Sequence, residues 1–187
     1  MKTRTIIVST LMLFFSLGIF AQSAERFVTD KTHIKFFSTT PAEDIEAHNY
    51  STTGTLSTGG NLAFSVPMQG FEFEKSLMQK HFNQDKFLDT QQFPTGRLVG
   101  KITNIETIDF ATPGTYEAVI EGELTIRGVT NKIKETGQLT VGSNGLTANS
   151  VFNITLADYG IEFVKGKPSK NIAKTVEVTV LAEYVPQ

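Results

Sequence analysis

The sequence predicts an all-β protein folded as an antiparallel barrel or sandwich. Three observations carry this: apolar and polar residues alternate with period 2 along most of the chain, short turn signals separate the alternating runs, and no strand–helix–strand rhythm appears. The 187 residues divide into a leader, 1–21, and one domain, 22–187, long enough for a single real core.

The leader has a positive start, Lys2 and Arg4, an apolar run from Ile6 to Phe20, and a small residue, Ala21 or Ser23, suited to cleavage. This is the pattern of a secretory signal peptide, and the run falls short of the roughly 20 apolar residues a spanning helix needs. The expectation is a periplasmic or secreted protein that is not an integral membrane protein. Lys2 and Arg4 leave with the leader, so 17 basic residues become 15 against 19 acidic, a net charge near −4. That balance argues against nucleic acid as a partner. The chain has no cysteine, which excludes disulfides, thiolate catalysis and Cys-ligated zinc.

The strands follow in order. Residues 31–39 and 46–58 read as irregular strands. Leu62, Phe64, Val66 and Met68 form a clear apolar face, and 97–106 a less clear one. Tyr116, Ala118, Ile120, Gly122, Leu124 and Ile126 alternate with a mostly charged face. A strand at 132–141 follows, with Gly128 and Asn131 marking tight returns before it. Phe152, Ile154 and Leu156 share a face, as do Val176, Val178, Val180, Ala182 and Tyr184. The strings Thr58-Gly59-Gly60-Asn61, Pro113-Gly114 and Ser143-Asn144-Gly145 fit hairpin connections. About eight strands joined by short turns, with one buried face each, result.

One segment breaks the alternation. Phe71 to Pro94 reads FEFEKSLMQKHFNQDKFLDTQQFP, with Phe71, Phe73, Phe82, Phe87 and Phe93 beside Leu77, Met78 and Leu88. Ser76-Leu77-Met78-Gln79 has the form of a capping box, with Ser76 as N-cap and Gln79 reaching back. Leu77, Met78, His81 and Phe82 then share one helical face, and Asn83 is placed to cap a second short turn carrying Phe87 and Leu88 that Pro94 ends. Helices this short form only when docked. The segment therefore either plugs one end of the sheet or covers a cavity that holds something apolar. Eight strands is the barrel size that either fills with its own side chains or holds one small ligand, so both readings stand.

Motifs for chemistry are missing. His33, His48 and His81 show no metal-ligand spacing, and no zinc-protease, serine-elbow, P-loop or dinucleotide pattern is present. No catalytic residue, metal site or cofactor is expected, and the chain reads as a non-enzyme. His33 and His48 lie on neighbouring strands where they can meet. The Lys165–Lys170 stretch reads as a basic loop, solvated or in contact with an anionic head group.

Four strings in order resemble the YceI-like family. Asp30-Lys31-Thr32-His33-Ile34-Lys35-Phe36 resembles its opening motif. KHFNQDKFLDTQQFP, from Lys80 to Pro94, is similar to its histidine-to-"FP" stretch, GELTIRGVTN, from Gly122 to Asn131, to its most specific signature, and LADYGI, from Leu156 to Ile161, to its fourth element. KHFN, and AEDIEAHN at 42–49, resemble a subgroup from Bacteroidetes-type bacteria. Ile34, Leu156 and Asn131 stand where the family often has Ser, Arg and Lys. The resemblance implies an extended, eight-stranded, lipocalin-like antiparallel β-barrel with a short helical insert. It also implies an exported protein that binds a polyisoprenoid or other amphiphilic lipid in an internal tunnel.

On that reading the lipid chain lies between Phe36, Phe64, Val66 and Phe152. Phe71, Phe73, Leu77, Met78, Phe82 and Phe87 form the mouth and lid, and His81, Arg127 or the Lys165–Lys170 loop meets the polar head. Two alternatives remain at this stage: a self-filled structural or stress-related barrel with a protein partner, and an enzyme on lipid-like substrates. The sequence leaves the oligomeric state open, a homodimer included.

Overall fold

The computed structural model describes residues 24–161 and 173–187, so the leader and the Lys165–Lys170 loop lie outside the described residues. Ten strands follow one another: β1 (Arg26–Thr39), β2 (Asp44–Asn49), β3 (Thr53–Ser57), β4 (Asn61–Pro67), β5 (Phe71–Phe73), β6 (Thr95–Ile102), β7 (Gly114–Ile126), β8 (Val129–Val141), β9 (Leu146–Thr155) and β10 (Thr175–Pro186). One α-helix, α1 (Ser76–Asn83), lies between β5 and β6.

The ten strands make eight staves. β1 pairs on one edge with β3 over Arg26–Thr29 and with β2 over Ile34–Thr39, so β2 and β3 are one interrupted stave. β4 pairs with β3 and β5 with β2, so β4 and β5 are another. From there β4, β6, β7, β8, β9 and β10 run antiparallel in sequence, and β10 returns to β1 from Phe27↔Pro186 to Phe37↔Glu177. The sheet is thereby closed into the eight-stranded antiparallel barrel that the sequence predicts.

The interruptions in the two double staves lie side by side, and one side chain serves both. Asn49 is fully buried (0 % exposed). Its Nδ2 donates to the Pro67 carbonyl at 2.8 Å, while its Oδ1 accepts from the Ser51 amide at 2.9 Å and from the Thr52 hydroxyl at 3.2 Å. Breaking two ladders frees backbone groups that must find partners inside the protein, and a buried amide side chain with both donors and acceptors supplies them.

The inward faces are those the alternation predicts. Leu62, Ala118, Leu139, Val141, Leu146, Ala182 and Tyr184 join Phe27, Leu56, Ile102 and Ile108 in a packed cluster that closes one end. A second cluster at the other end gathers Ile34, Met68, Phe71, Phe82, Leu88, Leu156 and Tyr159. The inner faces of β6 and β7 approach closely at Gly100 and Gly122, which are register partners. A Cβ on Gly122 would stand 2.5 Å from the Val99 carbonyl oxygen, which is why neither position carries a side chain.

Several local expectations need correction. Asn131 is not in a turn: it pairs with Leu124 inside β8, and the return is made by Arg127 and Gly128 alone, both at positive φ (51° and 75°) between Ile126 and Val129. That is the two-residue hairpin whose backbone twist matches its strands. The strand expected at 97–106 ends at Ile102, and a 3-10 turn at Ile105–Thr107 follows. Pro113-Gly114 closes this longer connection rather than making a hairpin. The capping box does not form: Lys75 is the N-cap, Ser76 is already helical, and no side chain caps the end. The short turn expected after Asn83 forms, and it is not helical. Residues 84–93 form successive turns, pinned where the Thr90 hydroxyl donates to Asn83 Oδ1 at 2.9 Å and where Asp89 adopts φ 46°.

Candidate functional site

Between the two packed clusters the barrel is hollow. A cavity of about 610 Å³ runs from α1 down to Tyr184, within the range of small-molecule sites. Its wall is nearly all carbon, supplied by the inward residues of the staves. Every residue expected along the tunnel and at its mouth lies on it: Phe36 from β1, Phe64 and Val66 from β4, Phe71 and Phe73 from β5, Leu77, Met78, His81 and Phe82 from α1, Phe87 from the turns, and Phe152 from β9.

The aromatic rings at the mouth pack on one another as well as on the cavity. Phe82 is the hub, with ring centroids 5.1 Å from Phe73, 5.5 Å from Phe71, 5.7 Å from Phe36 and 5.9 Å from Phe87. Phe71 and Phe73 belong to a paired strand, so they are barrel wall rather than lid. The lid proper is α1 with the turns behind it. Phe93 stands apart; its ring lies against Gly128, where an added Cβ would come within 2.6 Å. Leu77 is 61 % exposed and sits on the outer rim of the mouth.

Polar groups hold the lid at and beyond the rim of the cavity. Arg127 donates from Nη1 to the Gly160 carbonyl at 2.6 Å and from Nη2 to the Asp85 carbonyl at 2.9 Å. Its guanidinium thus ties the lid turns and the segment after β9 to the β7–β8 hairpin, and it does not line the cavity as the expected head-group contact would. Lys75 and Glu43 face each other at 3.8 Å across the rim. The Met68 amide donates to the Pro94 carbonyl at 2.8 Å, fixing the end of the turns to β4.

Matched against known families, residues 26–184 fit the YceI-like domain. The chain belongs to the YceI-like domain family. Among solved structures, the YceI-like barrel is similar to a polyisoprenoid binding domain from Saccharophagus degradans implicated in plant cell wall breakdown, at 13 % identity, TM-score 0.72, over 88 % of this chain and 99 % of that one. It is similar to Burkholderia cenocepacia BcnA at 12 % identity, TM-score 0.69, over 81 % and 95 %. A Campylobacter jejuni YCEI protein matches at 12 % identity and TM-score 0.52, over 100 % and 99 %. At such identities the likeness is one of fold. Among curated proteins, none matches the chain in sequence.

Within this YceI-like barrel, sequence reasoning missed part of the wall. Ile34 and Leu156, two of the departures from the family pattern, both line the cavity and make it more apolar. Leu98, Leu124 and Ile133 line it too. Polar side chains in the wall were not singled out as site residues either, Tyr184 and Glu135 among them. Tyr184 is buried at the deep end with no hydrogen-bond partner among the described residues, and burial pushes its phenol well above the usual range, so it stays protonated. Glu135, on β8, is raised by desolvation. Both were legible from parity: Glu135 falls in register with Ile133, Gly137, Leu139 and Val141, the apolar face of its strand.

The histidines do not enter the cavity chemistry as a group. His81 lines the mouth alone. His33 and His48 meet on the outer wall, stacked with Tyr50, and the described residues contain no cluster of three or more metal-ligating side chains.

Proposed function

We propose that this chain is an exported lipid-binding protein that holds a polyisoprenoid or other amphiphilic lipid inside its barrel. The observation that carries the reading is the apolar cavity of about 610 Å³. A hollow of that size lined by carbon is costly to leave facing water and favourable to fill with a hydrocarbon chain, at roughly 0.8 kcal/mol per buried CH₂. A barrel filled by its own side chains has no such space, so the cavity speaks against that alternative.

The solved relative described as a polyisoprenoid binding domain supports an isoprenoid tail as the occupant. The aromatic hub around Phe82 forms the mouth, and displacement of α1 admits the chain. Among the described residues no helix is long and apolar enough to cross a membrane. The export part rests on Lys2, Arg4 and the apolar run that follows. The binding reading needs no turnover; His33 and His48 lie on the outer wall, and His81 lines the mouth.

Mass spectrometry of organic extracts from gently purified protein tests the function. Co-purified lipid, or uptake of a fluorescent isoprenoid that Phe82→Trp or Val66→Trp reduces, supports it. Absence of both removes it.

A further inference from the structure

The barrel wall has a split. β8 and β9 pair only from Gly137↔Ser150 to Val141↔Leu146. Beyond that level β8 continues to Val129 bonded to β7 alone, and β9 continues to Thr155 bonded to β10 alone. The opening is bounded on both sides. At its lower end the Ser150 hydroxyl donates to the Thr136 carbonyl at 2.7 Å, and at its upper end Asn131 Nδ2 donates to the Asp158 carbonyl at 2.7 Å. Gly137 marks the fork: a Cβ there would lie 2.7 Å from the Asn149 carbonyl oxygen.

The inward residues beside the split are Ile133 and Glu135 on β8, and Phe152 and Ile154 on β9; all four line the cavity. Glu135 has no hydrogen bond or ion pair among the described residues. Its neighbours Lys132 and Lys134 have the opposite parity and project outward, and Lys134 is held 2.8 Å from Glu121 on the outer face. The carboxyl therefore lines an apolar hollow at the level of the split. Acidic groups are placed in such surroundings at a cost unless something pairs with them. Of the hydroxyls that line the cavity, Ser150 is bonded to Thr136 and Ser38 accepts from the Ala173 amide at 3.4 Å.

We propose that Glu135 at the β8–β9 split is the head-group contact of the cavity, and that it selects an amphiphile whose head donates a hydrogen bond and carries no negative charge. This rests on the lipid-cavity reading and names which lipids fit it. A hydroxyl head both donates and accepts, so it pairs with the carboxyl in either protonation state. A phosphate or carboxylate head at the same place meets a like charge at close range and is disfavoured by repulsion. The raised affinity of Glu135 for its proton has the same origin, desolvation without a compensating cation.

The test is competition against a neutral fluorescent reporter, N-phenyl-1-naphthylamine, using farnesol and farnesyl phosphate, which share a tail and differ in head. At neutral pH, farnesol is expected to displace the reporter from the wild-type protein at concentrations about tenfold or more below those of farnesyl phosphate. In E135Q, with competition scaled to the variant's own affinity for the reporter, the preference collapses because the phosphate gains. Equal competition in the wild type overturns the head-group proposal alone, as does an unchanged preference in E135Q. If the wild type takes up neither reporter nor farnesol, the lipid-cavity reading falls and the proposal falls with it.

Discussion

Nε2 of His33 lies 2.8 Å from Nδ1 of His48 on the outer wall of the barrel. Nε2 of His48 is 2.9 Å from the Glu46 carboxylate, which can only accept, so His48 carries its proton on Nε2 and accepts on Nδ1 from His33. The chain of donors has one consistent direction while both rings are neutral.

A proton on His48 Nδ1 would remove the acceptor, whereas one on His33 Nδ1 leaves the bond in place and sets a cation against the stacked ring; this gives the first prediction. Burial first, then the charge of His48 and of Lys35, hold the His33 pKa below its ordinary 6.5, with Glu46 opposing. A His depressed in the folded state binds fewer protons than in the unfolded chain, so its contribution is complete above pH 6.5 and is lost as pH falls through the lowered midpoint. An NMR titration should find His33 ionising below 6.5, and closer to it in His48→Ala. A midpoint above 6.5 in the wild type would contradict the geometry.

Gly122→Ala places a methyl group 2.5 Å from the Val99 carbonyl oxygen and 2.7 Å from the Gly100 Cα. Backbone cannot swing aside as a side chain does, so the strands must part. A loss of roughly 1–3 kcal/mol in urea unfolding is expected. Ala63→Gly, on another stave, serves as a comparison that introduces no clash.

The mouth separates residues that share a helix. Phe82→Ala removes the hub ring from contact with four others and should cost about 3–5 kcal/mol. Leu77→Ser, one turn earlier on the exposed rim, should leave the midpoint of denaturation nearly unchanged while weakening reporter uptake. If both variants destabilise equally, α1 is plain core and not a cover.

Arg127→Met keeps the aliphatic stem and deletes two charge-assisted hydrogen bonds, to the Gly160 and Asp85 carbonyls. A loss of roughly 1–3 kcal/mol is expected. Amide exchange should accelerate in the turns around Asp85 and near Gly160, and remain unchanged at the deep end around Tyr184.

Much of this fold could be read from the residues because one-sided burial writes a period of 2. The faces at 62–68, 116–126 and 176–184 are inward as the alternation requires. Signals that act through a few atoms were less reliable. Ser76 offers a hydroxyl and Gln79 an amide, yet the helix is held by docking Phe82 and its start needs no cap. Asn131 resembles a turn residue, but its side chain is used to reach the Asp158 carbonyl from within a strand. The residues that line the mouth of the cavity were legible because apolar mass concentrates at one end. The split and Glu135 were not named, since pairing lengths between strands depend on barrel geometry that a single chain's alternation does not encode.

A fully closed barrel offers no strand edge to another molecule. The separation of β8 from β9 restores two short edges, and an edge is a template for unwanted pairing with a second chain. On β8 the outward positions along the opening are Lys132 and Lys134, whose charges and long stems discourage a partner strand. On β9 the outward Val151 is 54 % exposed and has no such guard. The opening beside Glu135 thus also sets where this barrel offers an edge to a second chain, and the two lysines beside it oppose such pairing.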